Sequence, residues 1–210
     1  KTPDQIGKKT ATELKSDDDK PLAYGYVADR DVFWAKTTWE IIDLDERVNM
    51  PLFYPIDTAN IGTDRRSLYN VLTKAIKEGK ITEVYTDSYF NTKKTFQDIE
   101  ASLSKIDTTD LGREQFNAGM PIDPQYIVPT DLTAQDVSDY KVKGYWYFDK
   151  RQSEMKYRLL GICPVTPDVY TIDNEEKDYI ELFWVFFPDA REVLHNANSF
   201  NDTNSAQPIS

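Results

Sequence analysis

Two aromatic-rich segments constrain the fold of this chain more than any other part of it. They are Lys141–Pro164 (KVKGYWYFDKRQSEMKYRLLGICP) and Asp178–Pro188 (DYIELFWVFFP). In the first, Lys141–Asp149 and Met155–Cys163 flank the polar loop Lys150–Glu154, which predicts a β-hairpin. Alternation puts Val142, Gly144, Trp146 and Phe148 on one face, and Tyr145 and Tyr147 on the other with Lys141 and Lys143. Both faces therefore carry aromatics. The unbroken apolar run Leu182–Phe187 predicts a third strand buried on both sides. The fold class this implies is α+β: an antiparallel, aromatic-rich sheet with a few amphipathic helices.

The helices follow from spacing. Leu68, Val71, Leu72, Ala75 and Ile76 form one face of a helix expected over Arg65–Glu78, with Asp64 as N-cap and Gly79 as stop. Arg65 and Arg66 then fall in its first turn, where the helix dipole disfavours cations. Local acids such as Asp57 or an acidic partner surface would offset that. Phe96, Ile99, Leu103 and Ile106 mark a second helix, opened by a Thr95/Asp98 capping box. Val32, Ala35, Trp39 and Ile42 suggest a helix over 31–44, with a strand at 37–43 as the competing reading. Met50–Asp57 reads as extended and Ile81–Tyr89 as a strand. Residues 107–130 read as a long loop, Thr133 as the cap of a short helix, and Asp189 as the cap of a helix after Pro188. Trp39 followed by Arg47 and Asn49 is echoed by Trp184, Arg191 and Asn196, a faint hint of an internal repeat. Residues 1–20 read as a flexible arm, 21–195 as one domain and 196–210 as a polar tail.

Charge excludes some partners. With 36 acidic and 25 basic residues the net charge is −11, the wrong sign for nucleic acid or an anionic membrane surface. The longest apolar run is far too short to span a bilayer. One cysteine, Cys163, permits no internal disulfide and reads as a buried small hydrophobe. One histidine, His195, near a helix end, has no partner motif and reads as structural. One Cys and one His do not make a zinc site, and no Gly-rich phosphate loop is present, so no metal or cofactor is expected. Glu181 and Asp149 are the first suspects for a carboxylate-based hydrolase. Tyr145, Trp146 and Tyr147 are candidates for stacking on sugar in a carbohydrate- or peptidoglycan-binding module. Neither reading has a motif behind it.

Four segments together carry a family resemblance: WEIIDLDERVN with the following PLFYP (Trp39–Pro55), DRRSLYNVLTKAIKEGKITEVY (Asp64–Tyr85), KGYWYFDK…RLLGICPV (Lys143–Val165) and LFWVFFPDAREVL (Leu182–Leu194). From about residue 20 onward the chain resembles the GldN (PorN) family of gliding-motility and type IX secretion proteins of Bacteroidetes. The resemblance implies a non-enzymatic protein of the periplasm, peripheral to the inner face of the outer membrane. It implies a ring built with the lipoprotein GldK (PorK), contacts with ring neighbours, and contact with the periplasmic part of GldM (PorM). The family pattern supplies no catalytic residues. It also implies a removed signal peptide before Lys1, where no initiating methionine stands, and a further family segment beyond Ser210. Interface composition makes Arg65, Arg66, Tyr145 and Tyr147 the candidate protein-binding residues. Asp57-Thr58-Ala59 and Asp107-Thr108-Thr109 fit the short O-glycosylation pattern of periplasmic Bacteroidetes proteins, at Thr58 and Thr108.

Overall fold

The computed structural model describes residues 21–25, 27–56 and 65–199. The predicted arm 1–20, Asp57, Thr58, Asp64 and residues 200–210 of the predicted tail lie outside them. The predicted hairpin forms as β6 (Asp139–Asp149) and β7 (Glu154–Pro167), antiparallel, with Phe148 opposite Met155 and Trp146 opposite Tyr157; Glu154, expected in the loop, pairs with Asp149. One bulge interrupts it: Lys143 faces Gly161 while Gly144 faces Leu159, leaving Leu160 unpaired.

The other side of β6 corrects the reading of residues 31–44. There the chain forms β1, Val32–Asp43, a twelve-residue strand antiparallel to β6. The apparent helical spacing yields to a β-branched and aromatic composition (Val32, Phe33, Trp34, Thr37, Thr38, Trp39, Ile41, Ile42) beside a long strand able to pair with it. A short helix α1 (Met50–Phe53) stands where an extended segment was expected. Pro51 is tolerated there because its missing N–H falls in a first turn that has no partner to bond.

Helix α2 runs Leu68–Lys77, and Ser67, not Asp64, caps it by accepting from the Asn70 N–H. Ile81–Tyr89 shrinks to a two-residue strand β2 (Val84–Tyr85), because the Asp87 carboxylate accepts the Tyr89 N–H and turns the chain into β3 (Lys93–Lys94). The Thr95/Asp98 capping box opens α3 (Phe96–Leu103) as expected. Ile106 belongs to the strand that follows.

The expected loop 107–130 is instead ordered. Strand β4 (Ser104–Thr108) pairs antiparallel with β5 (Ile127–Asp131), and α4 (Asp110–Asn117), capped by Thr109, lies between them. Its apolar residues Leu111 and Phe116 are exposed. The predicted short helix after Thr133 is a capped 3-10 turn, Ala134–Asp136.

The predicted strand 178–187 divides into β8 (Tyr179–Glu181) and β9 (Trp184–Phe186), which pair with successive stretches of the same edge of β7. Helix α5 (Phe187–His195) starts at once; Asp189 sits in its first turn and is not its cap. The resulting seven-stranded sheet has the order β1-β6-β7-β9-β2-β3, with β8 also on β7. Trp39 on the edge strand and Trp184 in the sheet interior occupy unlike settings, so the sequence echo is not a structural repeat.

Helices α2 and α5 cover one face of this sheet. Leu72, Ala75 and Ala190 pack against Tyr140, Val142, Ile162, Leu182 and Val185 in a single core. The start of the predicted tail is tied to that body: Asn198 forms a parallel bridge with Arg65, and Ser199 donates to the Pro51 carbonyl.

Candidate protein-binding surfaces

The helices cover the sheet only partway. Register places Trp34, Trp146, Phe148, Met155 and Tyr157 on the same face as the core residues Tyr140 and Val142, but toward the hairpin end, beyond the helices. Trp34 is 46%, Trp146 36%, Met155 50% and Tyr157 39% exposed. The Tyr157 ring lies directly over Gly144, where any Cβ would stand 2.2 Å from it. Trp146 packs beside it at 4.9 Å between ring centroids. Phe33 continues the patch around the edge, edge-on to Phe148 at 6.3 Å. This is an exposed aromatic surface. Its Trp146 and Tyr157 rings are inclined by 53°, so they make no flat platform of the kind a pyranose ring stacks on.

On the opposite face Tyr145 and Tyr147 stack at 5.7 Å and 29°. Tyr145 is half-buried, and Tyr147 is 5% exposed, which corrects its reading as a surface contact residue. What covers Tyr147 is the segment 21–25. Tyr24 donates its hydroxyl to the Leu159 carbonyl at 2.7 Å. The Arg158 guanidinium lies over the rings of both Tyr24 and Tyr147, and Arg191 lies over Tyr24. Arg158 also donates to the Gly25 carbonyl and Arg191 to the Leu22 carbonyl. Burial raises the Tyr24 pKa, with the two guanidiniums opposing it.

Further along that face Lys143 is 9% exposed. Its ammonium donates to the Ser88 carbonyl at 2.6 Å and lies 5.5, 4.9 and 5.2 Å from the ring centroids of Trp39, Tyr89 and Phe90. Phe90 has φ 61° and rests on Gly161, where a Cβ would meet its ring at 2.7 Å. Sequence alternation grouped Lys143 with Lys141, Tyr145 and Tyr147 and said nothing of what covers that face. Only the return of the 87–90 turn over the sheet encloses it.

Arg65 and Arg66 precede α2 and its N-cap Ser67 rather than occupy its first turn. Arg66 donates its backbone N–H to the Asn198 carbonyl at 2.9 Å and its guanidinium to the Arg65 carbonyl at 3.0 Å. Both are half-buried. Arg66 borders an apolar hollow of about 320 Å³ whose walls include Ile42, Leu52, Leu68, Leu159 and Leu194.

The acids singled out by sequence are already engaged. Glu181 accepts from Lys141 at 2.8 Å and from the Trp184 indole at 2.6 Å. Asp149 closes the hairpin turn by accepting from the Arg151 and Gln152 N–H groups, and it meets Lys156 at 3.3 Å. Burial opposes its ionisation, but these donors outweigh burial and hold its carboxyl below the usual range. Asp31 and Asp149 border one hollow of about 520 Å³, where Asp31 meets Arg151 at 3.8 Å. Among the described residues no group of three or more His, Cys, Asp or Glu is placed to hold a metal. Cys163 is fully buried, and burial pushes its thiol pKa far up. His195 ends α5. Thr108 is half-buried at the end of β4. Among the described residues no helix is long and apolar enough to cross a membrane.

Residues 27–210 match the family described as "Gliding motility associated protein GldN". No curated protein matches the chain.

Proposed function

Because this chain belongs to the GldN family of gliding-motility-associated proteins, we propose that it is a non-enzymatic structural subunit of the gliding and type IX secretion machinery. In this reading it resides in the periplasm against the inner face of the outer membrane. There it forms a ring with the lipoprotein GldK (PorK) and its own neighbours, and touches the periplasmic shaft of GldM (PorM). The observation that carries the proposal is the uncovered aromatic surface of Trp34, Trp146, Met155 and Tyr157 on a member of this family. Interfaces concentrate Trp, Tyr, Met and Arg at their centres. A subunit that works by adhesion needs such a surface, whereas a catalyst needs a cleft. The engagement of Glu181 and Asp149 in hairpin and inter-strand contacts supports the same reading.

The test is binding of the immobilised chain to purified GldK and to the purified periplasmic region of GldM. Retention of both partners, weakened by Trp146→Ala with Tyr157→Ala at an unchanged circular dichroism spectrum, is the expected result. Arg65→Glu with Arg66→Glu probes the second candidate corner in the same assay. Failure to retain either partner rejects the reading. Thr58 and Thr108 remain proposed O-glycosylation sites, for mass spectrometry of the native protein to decide.

A further inference from the structure

The two edges of the main sheet are unlike. One ends in β3, two lysines long, which is short and charged as protected edges are. The other is β1, twelve residues without proline, paired to β6 along one side only. Among the described residues its outer side makes no backbone–backbone hydrogen bond, and at its very end the Asp43 carbonyl accepts from the Asn49 side-chain amide. Phe33 is 74%, Trp34 46%, Trp39 49% and Ile41 65% exposed along it. Beyond the bulge at Phe33, a long apolar edge of this kind is a template for another strand.

We propose that β1 pairs antiparallel with β1 of a second copy of this chain, about a two-fold axis at Thr38. The register follows from the sequence of the strand. Alternate residues of an edge strand point their backbone groups outward, and antiparallel pairing matches outward with outward, so a two-fold axis must pass through a residue. An axis at residue 36 opposes two copies of Lys36, and one at residue 40 opposes two copies of Glu40. An axis at residue 37 or 39 sets Lys36 against Thr38 or Ile42. An axis at Thr38 sets Lys36 against Glu40, and symmetry makes that contact twice. The same register sets Trp34 against Ile42 and Ala35 against Ile41, each also twice, and opposite-charge and apolar cross-strand pairs are the stabilising ones. Within one chain Lys36 and Glu40 stand four strand residues apart, roughly 13 Å, too far to bond each other. The contact joins the two sheets into one continuous sheet. A two-fold contact closes on two copies, so it differs from the head-to-tail contact of a ring and stands or falls without it.

Sedimentation velocity over a range of concentrations tests this on the full chain, with the melting midpoint as folding control. A monomer–dimer equilibrium is expected. Lys36→Glu alone, or Glu40→Lys alone, places like charges opposite each other twice and should weaken the dimer about tenfold or more. The double variant Lys36→Glu/Glu40→Lys restores opposite charges across the axis and should recover dimerisation, which a merely local effect of either residue would not do. A wild-type chain that stays monomeric overturns the proposal, whether its β1 amides are protected from hydrogen exchange by another part of the chain or open to a different partner. A dimer indifferent to the single reversals, or not rescued by the double, overturns it too. All three variants should still bind GldK and GldM, so loss of that binding in the wild type would be a separate failure, of the proposed function.

Discussion

Replacing Lys143 with methionine isolates the enclosed ammonium at moderate cost in shape. The native side chain gains about 1.5–3 kcal/mol from a hydrogen bond made by a charged donor, here to the Ser88 carbonyl at 2.6 Å. It gains about 0.5–1 kcal/mol more for each well-placed ring, and three ring centroids lie within 5.5 Å. Against this, withdrawing an ammonium from water costs several kcal/mol, so the native balance is small. Methionine removes that cost and keeps the packing of the stem, but it leaves the Ser88 carbonyl without its donor. An orphaned acceptor costs about 1–3 kcal/mol when fully buried, and Ser88 is half-buried, so the lower part of that range applies. The expected net loss is about 1–2 kcal/mol, a fall in melting midpoint of roughly 2–8 °C for a chain of this size. Differential scanning calorimetry of the two proteins at neutral pH reads it directly. A pH series adds a second readout. Burial depresses the Lys143 pKa, with Asp87 partly opposing. Between that depressed value and the ordinary lysine value the unfolded chain binds more protons than the folded one, so stability rises with pH across the window. The wild-type protein should show this rise and the methionine variant should not. A variant as stable as the wild type would refute the reasoning, because the ring contacts and the Ser88 bond would then not outweigh desolvation.

Tyr24→Ala removes the Leu159 hydrogen bond and two guanidinium–ring contacts. It should release residues 21–25 to limited proteolysis, at about 1–2 kcal/mol locally, with little change in global melting. Thr166 is fully buried and its hydroxyl has no partner in the structure. Thr166→Val should therefore stabilise the protein by about 1 kcal/mol in chemical denaturation, and a clear loss would show that the hydroxyl is bonded after all. Thr95→Ala removes the α3 cap and should cost about 1 kcal/mol. The Thr95 donors hold the Asp98 carboxyl below its usual pKa. The carboxylate's share of that stabilisation is complete above the ordinary aspartate value and lost as pH falls through the lowered one, so the gap between variant and wild type should narrow in acid, leaving the part owed to the bond from the Asp98 N–H to the Thr95 hydroxyl.

Much of the fold was legible where one short-range signal acted alone. The hairpin β6–β7 announced itself by two alternating runs around a polar turn. Helices α2 and α3 announced themselves by apolar spacing, and α3 also by its Thr95/Asp98 box. Errors arose where two signals competed. Residues 31–44 satisfy a helical period, yet the strand won because β6 offers ten positions paired in one register, from Trp34 to Asp43. Helix α4 was hidden because the irregularly spaced Gly and Pro residues of 107–130 read as a loop. The candidate surface was legible in part. Trp146 was named as a stacking residue, and the chain was read as adhesive, but Tyr147 was placed at a surface that segment 21–25 covers. Arg65 and Arg66 were assigned to a first helical turn that in fact begins at Leu68.

By itself the sequence settled the family, the α+β class and the hairpin at the centre of the sheet, since these rest on residue patterns within a few tens of positions. Tertiary structure alone decided which aromatics are buried and which stay open. Strand alternation tells only that two residues point opposite ways. Whether a helix, a returning turn or bare solvent lies on each side depends on contacts between segments far apart in the chain, such as Lys143 with Ser88 and Tyr24 with Leu159.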